Sequence, residues 1–223
     1  MPGERLPDEI VAMRAAKEFM EGHVVNLGVG IPTLCSSFLP PGRDIIFHSE
    51  NGIVGFGEII TDPEKADPAL INASVQPVAY KPGMSIVDHA ESFAIIRGGW
   101  IDVTVLGALQ VSARGDLANN TVPGKLIGSY GGGQDLAYNA KRVIVCMTHT
   151  TKEGVPKIVN RCTSPITATQ CVDLIVTDVA VIEVKPDGLL LREIVPGWSP
   201  EEVQEITEPD LIIGPDLKEM ELL

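Results

Sequence analysis

The fold is decided by the stretch His23-Val24-Val25-Asn26-Leu27-Gly28-Val29-Gly30-Ile31-Pro32-Thr33. A short apolar strand ends in a loop with two glycines, and a helix is expected to begin near Thr33. Glycines let a backbone approach a ligand closely, although a tight turn with no ligand explains Gly28 and Gly30 equally well. A dinucleotide fingerprint would need a third glycine at position 33, where threonine stands. The stretch therefore predicts a strand-loop-helix unit.

Working outward, short apolar strands alternate with helical patterns. Helices are predicted over residues 7–21 and 88–97 and after Ser199, where Ser199-Pro200-Glu201-Glu202 has the form of a capping box. Strands are predicted over 44–47, 101–106, 142–147, 171–175 and 179–184, with a hairpin turn at Asp187-Gly188. This alternation is typical of an α/β domain with a largely parallel sheet. Because no repeat or long linker interrupts it, residues 1–223 are expected to form a single domain.

The composition excludes several classes of protein. The formal net charge of -13 argues against nucleic-acid binding. No apolar run reaches membrane-spanning length, and residues 1–22 mix charges in a way that a signal peptide does not. The four cysteines form no CxxC pair and no zinc-binding spacing with histidine, so we expect no metal, buried free thiols and a cytoplasmic location. The acidic segment 198–223 is expected to be a solvated surface segment or a docking surface.

Glu50 is the first candidate for chemistry. It lies in Phe47-His48-Ser49-Glu50-Asn51-Gly52, where an apolar strand runs directly into a turn. Ligands of open α/β sheets bind at the carboxyl ends of the strands. A partly desolvated carboxylate there can act as a base or as a nucleophile, but a polar residue in a surface turn has the same pattern.

Three consecutive glycines, Gly131 to Gly133, mark a second candidate. They lie in a loop over residues 128–136, and their amides are expected to face a ligand or a developing oxyanion. A lid without direct contact is the alternative. The common phosphate-loop, zinc-protease and serine-hydrolase motifs do not occur in the chain.

Ser49-Glu50-Asn51-Gly52 resembles the SENG signature of the B-type chain of class I CoA-transferases, of the succinyl-CoA:3-oxoacid and acetate–acetoacetate type. The resemblance spans nearly the whole chain in the family's order. It also includes the segments 25–32, 88–94, 96–99, 115–119, 123–125, 162–165 and 177–178. It implies a CoA-transferase-like fold, an open and mostly parallel α/β sheet with helices on both faces. It also implies a partner of the A type, the CoA-transferase A subunit, joined with this chain in a heterotetramer.

The resemblance implies roles for individual residues. Glu50 is expected to be the nucleophile, forming a glutamyl anhydride and then a glutamyl-CoA thioester. Oxyanion or substrate contacts are expected from Asn26, Asn51, Gly131, Gly132, Gly133 and Gln134. CoA contacts are expected from Gly28, Gly30 and Lys125. Coenzyme A enters as a substrate, exchanged between an acyl-CoA and a carboxylic acid, with a 3-oxo acid as one candidate acceptor, and no permanently bound cofactor is expected.

The sequence departs from the family pattern at three positions. Gln134 replaces the usual methionine of the glycine loop, Trp100 replaces a histidine, and Asn120 replaces a tryptophan. The carboxamide of Gln134 suggests a preference for more polar acyl groups. Two alternatives to CoA transfer remain at this stage. One is an acyl-CoA hydrolase on the same fold, and the other is a non-catalytic partner chain, which the intact SENG disfavours.

Overall fold

A ten-stranded sheet forms the centre of the computed structural model, which describes residues 3–39, 41–121 and 131–221. The strands are β1 (Val24–Leu27), β2 (Ile46–Ser49), β3 (Ile53–Val54), β4 (Ser85–Ile86), β5 (Val103–Leu106), β6 (Gln110–Ser112), β7 (Leu117–Ala118), β8 (Val143–Met147), β9 (Ile158–Val159), β10 (Leu174–Thr177), β11 (Ala180–Lys185), β12 (Gly188–Ile194) and β13 (Leu211–Glu219). The sheet order is β13-β12-β11-β10-β8-β5-β1-β2-β3-β4, and β7, β6 and β9 form a smaller second sheet.

The five central strands β10, β8, β5, β1 and β2 pair in parallel. Strands β5, β8 and β10 are buried along their whole length, as apolar strands covered on both faces must be. Parallel strands bring their carboxyl ends to one edge of the sheet. The loops that follow β1, β2 and β5 therefore lie side by side there. The antiparallel pairs lie toward the two ends of the sheet, including the predicted hairpin between β11 and β12.

Helices cover both faces of this sheet. They are α1 (Asp8–Ala16), α2 (Ile31–Leu34), α3 (His89–Arg97), α4 (Gly133–Asn139) and α5 (Pro200–Glu205), with a 3₁₀ turn over Cys35–Ser37. Phe47 of β2 packs edge-on against Phe19, in the turn that follows α1. His48, the next residue, contacts Ser92 of α3. Adjacent residues of a strand point to opposite faces, so α1 and α3 lie on opposite sides. The predicted fold class is confirmed.

Several predicted elements have different bounds in the structure, and two of these differences have a clear physical cause. The first helix ends at Ala16 instead of residue 21, because Lys17, Glu18 and Phe19 donate to carbonyls three residues back and form tight turns that bury Phe19. Strand β2 continues through the polar residues His48 and Ser49, where the sequence predicted its end. Its pairing with β1 and β3 carries it past the apolar run.

The acidic tail contains one predicted element and one that the sequence pattern did not predict. The capping box at Ser199 is present, and α5 follows it. Leu211–Glu219 then forms strand β13, which pairs in parallel with β12 at the edge of the sheet. The residues of β13 do not alternate regularly between apolar and polar or between buried and exposed positions, so the sequence pattern did not predict a strand here. In the part of the chain that the structure describes, no helix combines the length and the apolar character needed to cross a membrane.

Candidate active site

The turn that carries Glu50 is fixed by the residue that closes it. Gly52 has φ +111°, and a side chain there would collide with the carbonyl oxygen of Val87. The Gly52 N–H donates to the carbonyl of Ser49 at 2.9 Å, which closes the turn at the carboxyl end of β2. Glycine is required at this position for both reasons. The turn therefore presents Glu50 at the sheet edge where ligands bind in such folds.

The two other neighbours of Glu50 tie the turn to the segment around Ile71. The Ser49 hydroxyl accepts a hydrogen bond from the Ala73 N–H at 2.8 Å. The Asn51 side-chain amide donates to the Ile71 carbonyl at 2.7 Å. Asn51 is exposed, and its side-chain amide is committed to this hydrogen bond. Three of the four residues of the SENG motif thus anchor the backbone, and Glu50 is left to face the cavity.

A cavity of about 500 Å³ opens beside the Glu50 carboxylate. Its floor is formed by residues that follow β1 and β5, and the glycine loop forms a wall. Within the described residues, Glu50 is the only charged side chain of the lining, which comprises Leu27, Gly28, Val29, Glu50, Ala73, Leu106, Gly107, Ala108, Leu109, Asn119, Asn120, Gly131, Gly132, Gly133 and Leu136. The described part of the lining is therefore mainly apolar and amide groups around one carboxylate.

The glycine loop lies directly against the carboxylate. The Gly132 N–H donates to Glu50 Oε1 at 3.3 Å. A Cβ atom at Gly132 would lie 2.7 Å from Glu50 Oε2, and one at Gly131 would lie 3.2 Å from Oε1. Side chains at these positions would displace the carboxyl group. This contact accounts for the glycines at positions 131 and 132 and favours a loop that faces the Glu50 carboxylate over a lid without contact.

A chain of hydrogen bonds with defined donors and acceptors holds the backbone carbonyl of Glu50. The Ser92 hydroxyl donates to the Glu50 carbonyl at 2.9 Å, so its oxygen accepts from Nε2–H of His48 at 3.1 Å. His48 Nδ1 is then unprotonated and accepts from the Asn26 side-chain amide at 2.9 Å. Burial lowers the pKa of His48 to about 4, so the ring is neutral at pH 7. Asn26 is buried and donates to His48, not to the carboxylate.

A second polar cluster forms the wall of the cavity near the glycine loop. The buried hydroxyl of Thr167 donates to Asn119 Oδ1 at 2.8 Å and accepts from the Asn120 side-chain amide at 3.1 Å. The Gln134 amide donates to the Thr167 carbonyl at 3.0 Å. Gln134 therefore supports Thr167, while Asn119 and Asn120 line the cavity. Asn120, which departs from the family pattern, thus lies on the cavity wall. Gln134, which also departs from it, lies behind this wall.

The structure brings together only part of the predicted set. Glu50, Gly28 and the glycine loop meet at the cavity, whereas Asn51 and Gln134 are committed to backbone carbonyls. Gly30 does not line the cavity. It has φ +88° and precedes α2, which fits the tight-turn alternative. Lys125 lies outside the described residues.

Pattern reasoning from the residues alone did not single out Ser92, Asn119, Asn120 or Thr167 as site residues. Each is a common polar residue with no motif spacing of its own, and their convergence depends on pairing across the sheets. Asp116 to Asn119 did provide a partial signal, because a polar residue follows a short buried strand. Within residues 3–39, 41–121 and 131–221, no group of three or more histidine, cysteine or acidic side chains converges as a metal site.

Comparison with known proteins shows the family of the chain. The family model described as "Coenzyme A transferase" matches residues 9–205 of the chain. The chain belongs to the coenzyme A transferase family. This coenzyme A transferase chain is 48% identical over 207 residues to the beta chain of a "probable coenzyme A transferase" of Bacillus subtilis, a match that covers 92% of the chain and 94% of the relative.

A second relative and a solved structure give a finer description of the chain. The coenzyme A transferase chain is 46% identical over 213 residues to the B chain of the 3-oxoadipate CoA-transferase of Acinetobacter baylyi, covering 95% of this chain and 98% of that one. The crystal structure of the acyl-CoA transferase YdiF apoenzyme from Escherichia coli O157:H7 superposes with a TM-score of 0.76 at 26% identity. That match covers 100% of this chain and 45% of the longer YdiF chain. The chain is thus a CoA-transferase component of the B type.

Proposed function

We propose that this chain carries the nucleophile of a two-component CoA-transferase, and that Glu50 moves CoA from an acyl-CoA to a carboxylic acid. The observation that carries the proposal is the contact between the Glu50 carboxylate and the backbone of the glycine loop, at the mouth of an otherwise uncharged cavity. A carboxylate held beside an N–H donor, where a carbonyl can be attacked, is the arrangement that covalent acyl transfer requires.

The proposed reaction proceeds in four balanced steps. A Glu50 oxygen attacks the thioester carbonyl, the C–S bond breaks, CoA leaves as the thiolate, and a mixed anhydride between Glu50 and the acyl group remains. The thiolate then attacks the glutamyl carbonyl, and the acyl group departs as a free carboxylate. An acceptor carboxylate attacks the resulting glutamyl-CoA thioester and expels the thiolate again. The thiolate finally attacks the acceptor's acyl carbonyl and releases both the new acyl-CoA and the Glu50 carboxylate.

The surroundings of Glu50 support this role in two ways. Each step passes through a tetrahedral oxyanion, for which the Gly132 N–H is a backbone donor that needs no reorganisation. The carboxyl group must also hold its position through four attacks. The turn closed at Gly52 and the Asn26–His48–Ser92 chain fix the backbone from which it projects. Asn26 acts in this proposal as a support of the turn rather than as an oxyanion donor.

We further propose that a separate A-type chain completes the site and that the two kinds of chain form a heterotetramer. The names of the relatives, which mark them as the beta or B component of their enzymes, support a partner chain. The described lining of the cavity offers no cation for the phosphates of CoA, which is consistent with contacts from elsewhere in the assembly. The name of the Acinetobacter relative supports a 3-oxo acid as the acceptor. The four free thiols fit a reducing compartment, and we place the complex in the cytoplasm.

Steady-state kinetics of the chain expressed together with its partner test the proposal. CoA transfer should show ping-pong kinetics, and turnover should depend on an added carboxylate acceptor. The Glu50→Gln variant should lose at least about 10⁴-fold in kcat, on the scale seen when a covalent nucleophile is removed. Glu58→Gln, which changes an exposed carboxylate outside the cavity lining, serves as the matched control and should retain full activity.

Two outcomes would contradict the proposal. Full activity of Glu50→Gln would remove Glu50 from the chemistry. Acyl-CoA consumption that proceeds at the same rate without a carboxylate acceptor would instead indicate that water takes the acyl group, and the protein would be a hydrolase on this fold.

A further inference from the structure

We propose that the side-chain amide of Asn119 is a second catalytic donor, which binds the acyl oxygen of the substrate while Glu50 attacks its carbonyl carbon. The inference rests on the proposed function and adds to it a residue whose orientation the structure determines. The Thr167 hydroxyl, behind the cavity wall, fixes this orientation through its hydrogen bonds.

The Thr167 hydroxyl has one hydrogen and two lone pairs, and all three are used. It donates to Asn119 Oδ1 at 2.8 Å and accepts from the backbone N–H of Asn119 at 3.2 Å and from the Asn120 amide at 3.1 Å. Because the Asn120 amide donates to this hydroxyl, a reversed Asn119 amide would set its nitrogen against an oxygen with no lone pair left, and the hydroxyl hydrogen would lack its acceptor. The oxygen of Asn119 therefore points to Thr167, and its NH₂ group points away.

The side-chain amide of Asn119 lies beside the glycine loop. Asn119 lines the cavity, and a Cβ atom at Gly133 would lie 3.6 Å from its Nδ2 and 3.8 Å from its Oδ1. Gly133 directly follows Gly132, whose N–H donates to the Glu50 carboxylate. Among the described residues, no acceptor takes the Nδ2 hydrogens of Asn119. A donor held at the wall of this cavity, beside the residue that follows Gly132, is suited to a developing oxyanion.

The wall is rigid because each member is held by another. Thr167 is 2% exposed, its N–H donates to the Leu117 carbonyl at 2.7 Å, and its own carbonyl accepts from Gln134. Thr167 and Gln134 thus act as positioning residues, which hold Asn119 without touching the substrate. A donor that is already oriented costs no reorganisation when charge develops on the acyl oxygen. This account assigns Gln134 a supporting role, in place of direct selection of polar acyl groups.

The test uses four variants of the chain, each assembled with its partner. Single-turnover formation of the Glu50–CoA thioester is followed by intact-protein mass after mixing with an acyl-CoA. Asn119→Ala should slow this step by about 10²-fold, as the loss of one oxyanion donor does. KM should change little, because the hydrogen bond between the Asn119 amide and the acyl oxygen is made in the transition state. Thr167→Val should also slow it, and Thr167→Ser, which keeps the hydroxyl, should restore most of the rate. Asn160→Ala, which changes an exposed asparagine, should behave as the wild type.

The outcomes separate this inference from the proposed function. Wild-type thioester formation in Asn119→Ala, or equal slowing by Thr167→Val and Thr167→Ser, would overturn the role of Asn119 while leaving Glu50 as the nucleophile. Absence of any Glu50 adduct in an active wild-type enzyme would overturn both. If Thr167→Val fails to fold, Asn119→Ala decides alone, because Asn119 is only half-buried.

Discussion

Replacing Gly132 with alanine should impair catalysis without disturbing the fold. Gly132 has φ -85° and ψ 1°, the conformation of the third residue of a type I turn, which alanine also adopts, so the added methyl group is the main change. That methyl group would lie 2.7 Å from Glu50 Oε2 and 3.3 Å from Phe93 Cζ. Ordinary contact begins near 3.4 Å, so the carboxyl group must retreat by about 0.7 Å. A displacement of about 1 Å costs on the order of 10²-fold in rate, equivalent to about 2.7 kcal/mol of transition-state free energy.

The assay is kcat/KM for CoA transfer, with the melting temperature measured on the same preparations. Gly133→Ala provides a graded comparison in the same loop, because its Cβ would meet Asn119 only at 3.6 Å, an ordinary contact. We expect a much smaller loss for Gly133→Ala than for Gly132→Ala, and similar melting temperatures for both. Wild-type kcat/KM in Gly132→Ala would refute the argument that the glycine loop sets the position of the nucleophile.

Three further predictions concern the supports of the site and of the fold. Ser92→Ala leaves Nε2–H of the buried His48 without its acceptor, and should lower the free energy of unfolding in urea by about 1–3 kcal/mol; an unchanged midpoint would contradict this. Burial lowers the pKa of His48 and His149 from 6.5 to about 4. Between these two pH values the unfolded chain therefore binds more protons than the folded chain. The free energy of unfolding should be highest above pH 6.5 and should fall toward pH 4 by up to about 1.4 kcal/mol per pH unit for each histidine. Urea titrations that give the same free energy of unfolding across this range would contradict the prediction. Glu193→Ala should cost up to about 3–5 kcal/mol, because it strips the buried Arg14 guanidinium of two hydrogen bonds at 2.7 and 2.9 Å and leaves Glu18 as its remaining partner; a loss below about 1 kcal/mol would show that the pair contributes no more than an exposed one.

Much of the fold was predictable because the central strands have a clear apolar pattern. Val143–Met147 and its neighbours are continuous apolar runs, and the turn residues around them separate strands from helices. The carboxyl ends of parallel strands then had to share one edge, which placed Glu50 and the loop after β1 together. Strand β13 escaped prediction because it lies at the edge of the sheet, where pairing with β12 rather than its own hydropathy makes it extended.

The site was predictable only where the sequence contained an unusual residue or motif. Glu50 at a strand end and three consecutive glycines are unusual, and the structure brings them into contact. Asn51 was expected to contact the substrate, yet its position in the motif reflects the need to hold the turn. The wall formed by Asn119 and Thr167 joins residues 48 positions apart. A short-range pattern cannot report such a contact, because it arises from the pairing of the smaller sheet.

The most direct test of the central claim is to locate the covalent bond between the enzyme and CoA. The wild-type complex is incubated with an acyl-CoA, treated with borohydride to reduce the enzyme thioester, digested and mapped by mass spectrometry. We predict that reduction converts the side chain of Glu50, and no other carboxylate of this chain, to the alcohol, and that the Glu50→Gln variant yields no reduced peptide. An active complex that carries no modification at Glu50, or one modified at a different residue, would contradict the account.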